Sequence, residues 1–319
     1  MAMNKLMRSA LKALSFPDIN TPKNYKAERV VVNVTHRHVL RPFYKIWDHK
    51  VWAEDHDIPV RIFSPETKGD FPVLLFFHGG GWVTGNIDSY DKVCTVMSKK
   101  TGHKVISVDY RLAPEHPFPA GLEDCYRVAR ELYLHPELLG VAADDITLVG
   151  DSAGGNLAAA VSLLARDRGE FLPSRQILLY PATYNDHGPS SPFPSVRENG
   201  TDYLLTSKRI QDYETLYRGG RDVENNPYYA PLIAEDLSRQ PRSLILTAEY
   251  DPLRDEGEAY GHKLRAFGNR VEIHRLPDAL HGFISLNARF KSVQKSYDYM
   301  NHFLNKEADG LDCGLADPR

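Results

Sequence analysis

With 319 residues, the chain has room for one large α/β domain or two small ones. At 42% hydrophobic and 25% charged it is ordinary globular material, and a net charge of −3 with no basic run interleaved with aromatics excludes a nucleic-acid footprint. Three widely spaced cysteines, Cys94, Cys125 and Cys313, form neither a disulfide framework nor a metal-binding spacing, so a reducing cytoplasm is the expected compartment.

Residues 1–16 are mildly amphipathic, with Lys5, Arg8 and Lys12 among Leu6, Met7, Leu11 and Leu14. The segment lacks an uninterrupted apolar core and a small-residue cleavage site, and no run approaches a membrane span. It is expected to pack as a helix over the rest of the protein rather than to serve as a leader or anchor. His36 and His38 alternate as on one face of a strand, but no cysteine or carboxylate stands nearby. They read as an exposed segment rather than a metal site.

From about residue 47, short apolar runs alternate with helical patterns. Residues 60–63 alternate as a half-buried edge strand does, and residues 73–77 are continuously apolar, as a central strand buried on both faces is. Residues 104–108 make a third strand. The prolines of residues 109–117 imply a braced loop, with Arg111 and Glu115 in structural ion pairs. Leu122, Cys125, Val128 and Leu132 give residues 121–134 helical spacing. Residues 146–149 then read as a buried strand, followed by a small-residue helix to about Arg168. Strands at 176–180, 243–247 and 271–274, with helices near 255–266 and 289–304, complete the series.

Strands alternating with helices predict an α/β fold, a mostly parallel sheet covered on both faces, with ligands bound beyond the carboxyl ends of the strands. Residues 182–232 break the alternation: prolines and glycines surround one helical pattern near 206–217. The expected organisation is an N-terminal cap segment (1–45), a core (46–181 and 233–305), a cap insertion (182–232) and a flexible C-terminal tail (306–319).

The chemistry falls just after the strands. Gly150-Asp151-Ser152-Ala153-Gly154 sits between a strand and a helix. A serine hydroxyl is a weak nucleophile that needs exposure and an adjacent base, and a sharp glycine-flanked turn supplies the first. The competing reading is a tight turn whose serine caps the helix. After strand 73–77 come His78 and the glycines Gly79, Gly80 and Gly81. No Lys-Ser/Thr and no G-x-G-x-x-G spacing follows, which argues against a phosphate loop. Gly79 and Gly80, with Ala153 at the elbow, are the expected oxyanion donors, worth on the order of 3 kcal/mol each in the transition state. His78 is expected to brace the loop.

After strand 243–247, Asp251 stands where a carboxylate can orient an imidazole. It is favoured over Asp255, a natural first-turn helix charge, and over Glu249. After strand 271–274, His281 precedes a glycine and is the expected base, completing the chain order Ser152, Asp251, His281. Trp82, Tyr184, Leu205 and Phe283 are candidate substrate contacts; the aromatics Tyr203 and Tyr228 are further candidates for a pocket lining, and for each aromatic core packing is the competing reading.

These motifs, HGGGW (78–82), DYRLAPEHPFPA (109–120), GDSAGG (150–155), DPLRDE (251–256) and HGF (281–283), resemble the hormone-sensitive-lipase-like α/β-hydrolases, the bacterial family IV esterases of the GDSAG subgroup. The resemblance spans most of the core, from about residue 72 to 305. It implies Ser152, Asp251 and His281 as a catalytic triad, Gly79, Gly80 and Ala153 as the oxyanion hole, and a helical cap. It also implies short-chain ester substrates, no metal or other cofactor, and frequent homodimers through the last strand and its flanking helix. The expected activity is therefore a serine carboxylesterase for acetyl to about hexanoyl esters. The alternatives are an amide-cleaving relative, such as an arylformamidase or aminopeptidase-like hydrolase, and a non-catalytic receptor of the same fold.

Overall fold

The computed structural model describes residues 21–35, 46–53, 55–66 and 68–305. The expected helix at 1–16, the alternating pair His36 and His38, and the tail from 306 with Cys313 lie outside the described residues.

Among the described residues eight strands make one sheet: β1 (Ile46–Trp52), β2 (Asp57–Phe63), β3 (Val73–Phe77), β4 (Lys104–Val108), β5 (Ile146–Asp151), β6 (Arg175–Leu179), β7 (Arg242–Tyr250) and β8 (Val271–Leu280). Their spatial order is β1-β2-β4-β3-β5-β6-β7-β8. The first two pairings are antiparallel and every later one is parallel. This is the α/β-hydrolase architecture.

The described helices are α1 (Thr21–Thr35), α2 (Asp91–Thr101), α3 (Ala120–Leu134), α4 (Ala153–Arg168), α5 (Pro194–Asn199), α6 (Ser207–Arg218), α7 (Arg254–Ala266) and α8 (Lys291–Asn305). Strand periodicity divides the core between the two faces of the sheet. Leu75, Phe77, Leu148 and Ile245 join Leu122, Leu157, Val161 and Tyr260 of α3, α4 and α7. Leu74, Phe76, Ile177 and Leu246 meet Val93, Met97, Tyr297 and Phe303 of α2 and α8. β3 is buried along its whole length, as its unbroken apolar run requires.

Residues 60–63 are not an edge strand. They belong to β2, and β1 outside it forms the edge. The polar residue that gives the alternation, Arg61, is only 4% exposed and is held by Asp48, Asp88 and Asp91. Buried arginine in a carboxylate cluster and solvent-facing arginine look alike in sequence. Helix α2, absent from the sequence reading, packs Val93, Cys94 and Met97 against the sheet. β8 runs six residues past the expected end at 274 and carries Pro277, which an edge strand tolerates because one side of it has no ladder to serve.

Helices α5 and α6 lie in the segment between β6 and β7, and α1 packs against α6. The segment begins and ends at one backbone bond, Leu232 N–H to Thr183 O at 2.9 Å. Arg29 fastens α1 to the core: its Nε donates to Val83 O, and Nη2 donates to Ala113 O and Glu115, at 2.9–3.0 Å. No helix among the described residues is long and apolar enough to cross a membrane.

Candidate active site

β5 ends at Asp151 and α4 begins at Ala153, so Ser152 alone makes the turn, at φ 56° and ψ −119°. A non-glycine residue held there carries on the order of 1–3 kcal/mol of strain. The surroundings hold it: Ser152 N–H donates to Leu179 O at 2.9 Å, and Ser152 O accepts from Asn156 N–H at 3.0 Å. The turn also brings α4 against the end of β3. A Cβ on Gly154 would stand 1.9 Å from Phe77 O, so only glycine fits.

Asp251 follows β7 and His281 follows β8. His281 Nδ1 lies 2.7 Å from Asp251 Oδ2, and His281 Nε2 lies 2.8 Å from Ser152 Oγ. A carboxylate only accepts, so Nδ1 carries the proton given to Asp251 and Nε2 is left to accept from the serine hydroxyl. Asp251 is fully buried, and its Oδ1 accepts from Leu253 N–H at 2.9 Å. The competing acids are engaged elsewhere. Asp255 accepts from Ser195 N–H and Arg254 Nε, both at 2.7 Å, and Glu249 accepts from Asp278 N–H at 2.7 Å.

The glycine loop differs from the sequence reading at one position. The N–H of Gly79 is engaged within the protein, donating to Asp151 Oδ1 at 2.8 Å, so it is not available to an oxyanion. Gly80 and Gly81, at φ 121° and 61°, line the cavity with Ala153. Their three N–H groups make no hydrogen bond to another described residue. Gly81 therefore replaces Gly79 as the candidate donor beside Gly80 and Ala153. The reversal has a local cause. Asp151 is buried, also accepts from the hydroxyls of Tyr90 (3.1 Å) and Tyr180 (3.3 Å), and draws the first peptide of the loop towards it. Burial pushes the Asp151 carboxyl up to about 6, against the pull of Gly79 N–H and Tyr90.

His78 is fully buried behind the loop, stacked on Tyr110 with ring centroids 4.4 Å apart, and its Nδ1–H donates to Gly79 O at 2.8 Å. Burial lowers its pKa to about 4, so the ring stays neutral. Arg111 pairs with Asp124 and Glu115 with Arg29.

Above Ser152 lies a cavity of about 250 Å³. Trp82 and Leu205 line it, and Trp82 stacks flat on Tyr217 at 4.4 Å. Tyr184 and Phe283 do not line it. Tyr184 packs edge-on against Phe193, and Phe283 is buried against Tyr180 on the α8 side of the sheet. Tyr203 stacks on Tyr250, and the Tyr228 hydroxyl donates to Asp167. Residues not singled out from the sequence complete the wall: Tyr90, Leu204, Arg209, Ile210, Tyr213 and Leu253. The helical pattern near 206–217 announced α6, but nothing in it told which face overlies the serine.

Residues 74–285 match a family model described as the alpha/beta hydrolase fold. The chain is similar to the carboxylic ester hydrolase LipN of Mycobacterium tuberculosis, 41% identical over 72% of this chain and 62% of that protein, so the match spans less than two thirds of the relative's length. It is also similar to the esterase LipI of the same organism, 36% identical over 89% of this chain and 88% of the relative. Among solved structures, the hyperthermophilic esterase of Pyrobaculum calidifontis superposes with a TM-score of 0.81 at 33% identity, covering 95% of this chain and 98% of that one.

Proposed function

This chain belongs to the hormone-sensitive-lipase-like family of α/β-hydrolases and is a carboxylic ester hydrolase, and from that premise we propose that it cleaves short-chain acyl esters, acetyl to about hexanoyl, through an acyl-enzyme on Ser152. The observation that carries the proposal is the unbroken line of hydrogen bonds Ser152 Oγ–His281–Asp251, at 2.8 and 2.7 Å.

In this reading His281 Nε2 takes the hydroxyl proton as Ser152 Oγ attacks the ester carbonyl. The carbonyl oxygen gains negative charge and is held by the N–H groups of Gly80, Gly81 and Ala153. Asp251 keeps the imidazole in the required tautomer and balances its charge once protonated. His281 then returns the proton to the departing alcohol. A water molecule, deprotonated by the same nitrogen, attacks the acyl-enzyme; the acyl–Oγ bond breaks, His281 returns the proton to Ser152 Oγ and the acid is released. A cavity of about 250 Å³ lies below the size of most ligand pockets, roughly 300–1,000 Å³, which supports small acyl groups.

A series of p-nitrophenyl esters from acetate to decanoate tests the proposal. The expected kcat/KM peaks at six carbons or fewer, and Ser152→Ala loses at least about 10⁴-fold. A maximum at eight carbons or more overturns the chain-length assignment, and undiminished turnover by the variant overturns the nucleophile. On its cysteine usage we also place the protein in the cytoplasm, and on the family resemblance as a homodimer joined at the open edge β8 and the flanking α8. Sedimentation of the pure protein as a monomer at micromolar concentration overturns the dimer.

A further inference from the structure

Helix α6 puts one permanent cation into the cavity above Ser152. Arg209 lies in the first turn of α6 and lines the same space as Ser152, His281, Gly80 and Gly81. Outside the backbone ladder of the helix, its one hydrogen bond among the described residues is from its own N–H to Thr206 Oγ1 at 3.1 Å, which caps the helix. The guanidinium itself has no carboxylate partner there. Other arginines around the site do: Arg29 holds Glu115, Arg111 holds Asp124, Arg254 holds Glu198 and Asp255, and Arg218 at the far end of α6 holds Glu224.

Its position relative to the reacting atoms is fixed through Tyr213. Residues four apart share a helix face, so Tyr213 stands one turn, about 5.4 Å, further along the stripe that carries Arg209. The Tyr213 ring presses on the oxyanion loop so closely that a Cβ on Gly81 would lie 2.3 Å from it. The Tyr213 hydroxyl is engaged with Glu28 of α1, which leaves it no proton for a substrate carboxylate. Arg209 and Tyr213 both line the cavity, and the charge of Arg209 is near enough to act on that hydroxyl. Much of the remaining wall is apolar: Trp82, Leu204, Leu205, Ile210 and Leu253. A guanidinium in such a wall offers a planar fork of donors and no acceptor, and a carboxylate is the group that matches it.

Resting on the serine-esterase reading above, we propose that the cavity takes esters carrying a carboxylate a few bonds from the scissile carbonyl, and that Arg209 selects them. Monoethyl glutarate puts the carboxylate on the acyl side, and the acetate ester of glycolate puts it on the alcohol side. Each is compared with its neutral primary amide near about pH 8, where the carboxylate is fully ionised. The expected wild-type kcat/KM favours the acid over the amide by about tenfold or more in one pair, the scale of one charge-assisted contact in a partly wet site. In Arg209→Gln that ratio falls to near one, and Arg209→Lys keeps part of it.

The acid-to-amide ratio is internal to each variant, so a general loss of active protein does not imitate the effect. A second measurement needs no variant: glutarate should inhibit wild-type p-nitrophenyl butyrate hydrolysis at lower concentration than glutaramide. Raised salt should narrow the gap. Equal treatment of acid and amide in both pairs, or a preference that survives in Arg209→Gln, overturns the proposal. Absence of p-nitrophenyl butyrate turnover strikes the esterase reading instead. Calorimetric binding of glutarate by Arg209→Gln as tight as by the wild type strikes the Arg209 assignment alone.

Discussion

Asp151 stands beside the nucleophile yet serves the opposite wall of the site, holding the Gly79 peptide so that Gly80 and Gly81 face the cavity. Its carboxyl is raised from 3.8 to about 6 by burial. Between these values the native state keeps a proton that the unfolded chain has released. The group's stabilising contribution is therefore complete below about pH 4 and lost as pH rises through about 6. Two pKa units correspond to about 3 kcal/mol. Measured by urea unfolding from pH 4 to 7, Asp151→Asn should gain on the wild type by about that amount. A stability difference that stays constant with pH counts against the assignment. The residues of the line Ser152, Asp251, His281 were legible because each follows a strand, and strand ends are visible as the ends of apolar runs. The direction of the Gly79 peptide was not legible, since it depends on a carboxylate 72 positions away, at the end of the neighbouring strand.

At the scale of elements, α6 is tied to the core by an imidazole between two carboxylates. His187 Nδ1 meets Glu214 of α6 at 2.9 Å, and its Nε2 meets Glu256 of α7 at 2.6 Å, all three side chains being almost wholly buried. Those carboxylates hold the His187 pKa well above its ordinary value, despite burial. Glu256 also accepts from Thr183 N–H at 2.6 Å and Tyr184 N–H at 3.1 Å, which sets the path of the chain just beyond Ala182 in the cavity wall. Removing the shared cation leaves two buried carboxylates facing each other. His187→Ala is expected to lose about 3–5 kcal/mol of stability by urea unfolding. The stabilisation is present below about pH 6.5 and lost as pH rises through the raised native pKa, so a Tm that falls on alkalisation in the wild type should fall less in the variant. None of this was readable in the sequence. His187, Glu214 and Glu256 sit in three separate patterns, and a buried ion pair leaves no periodic trace. Helix α3, by contrast, announced itself through the apolar spacing of Leu122, Cys125, Val128 and Leu132, which its packing against the sheet explains.

Across the whole molecule, two segments far apart in the chain pack together: α1, before the first strand, and α6, between the sixth and seventh, whose residues line the cavity above the serine. Arg29 links the first of them to the backbone of the oxyanion loop at Val83 and to Ala113. Arg29→Met, keeping bulk and removing the donors, is expected to raise KM for p-nitrophenyl butyrate several-fold with a smaller change in kcat. It should also speed proteolysis within residues 21–35. Unaltered cleavage and KM would show that α1 is held by its other contacts, the Tyr213–Glu28 bond among them. The parallel sheet was legible as a whole because alternating strands and helices admit few topologies. The wall above the site was not, because residues 182–232 carry no period long enough to orient them. That same segment closes on itself at the Thr183–Leu232 bond. In descent, such a loop is a unit of exchange: its interior can be lengthened, shortened or replaced while its two feet stay where the sheet needs them. Lineages that share this hydrolytic machinery are then free to diverge in diet by rewriting about fifty residues, with the register of the strands that carry the chemistry untouched.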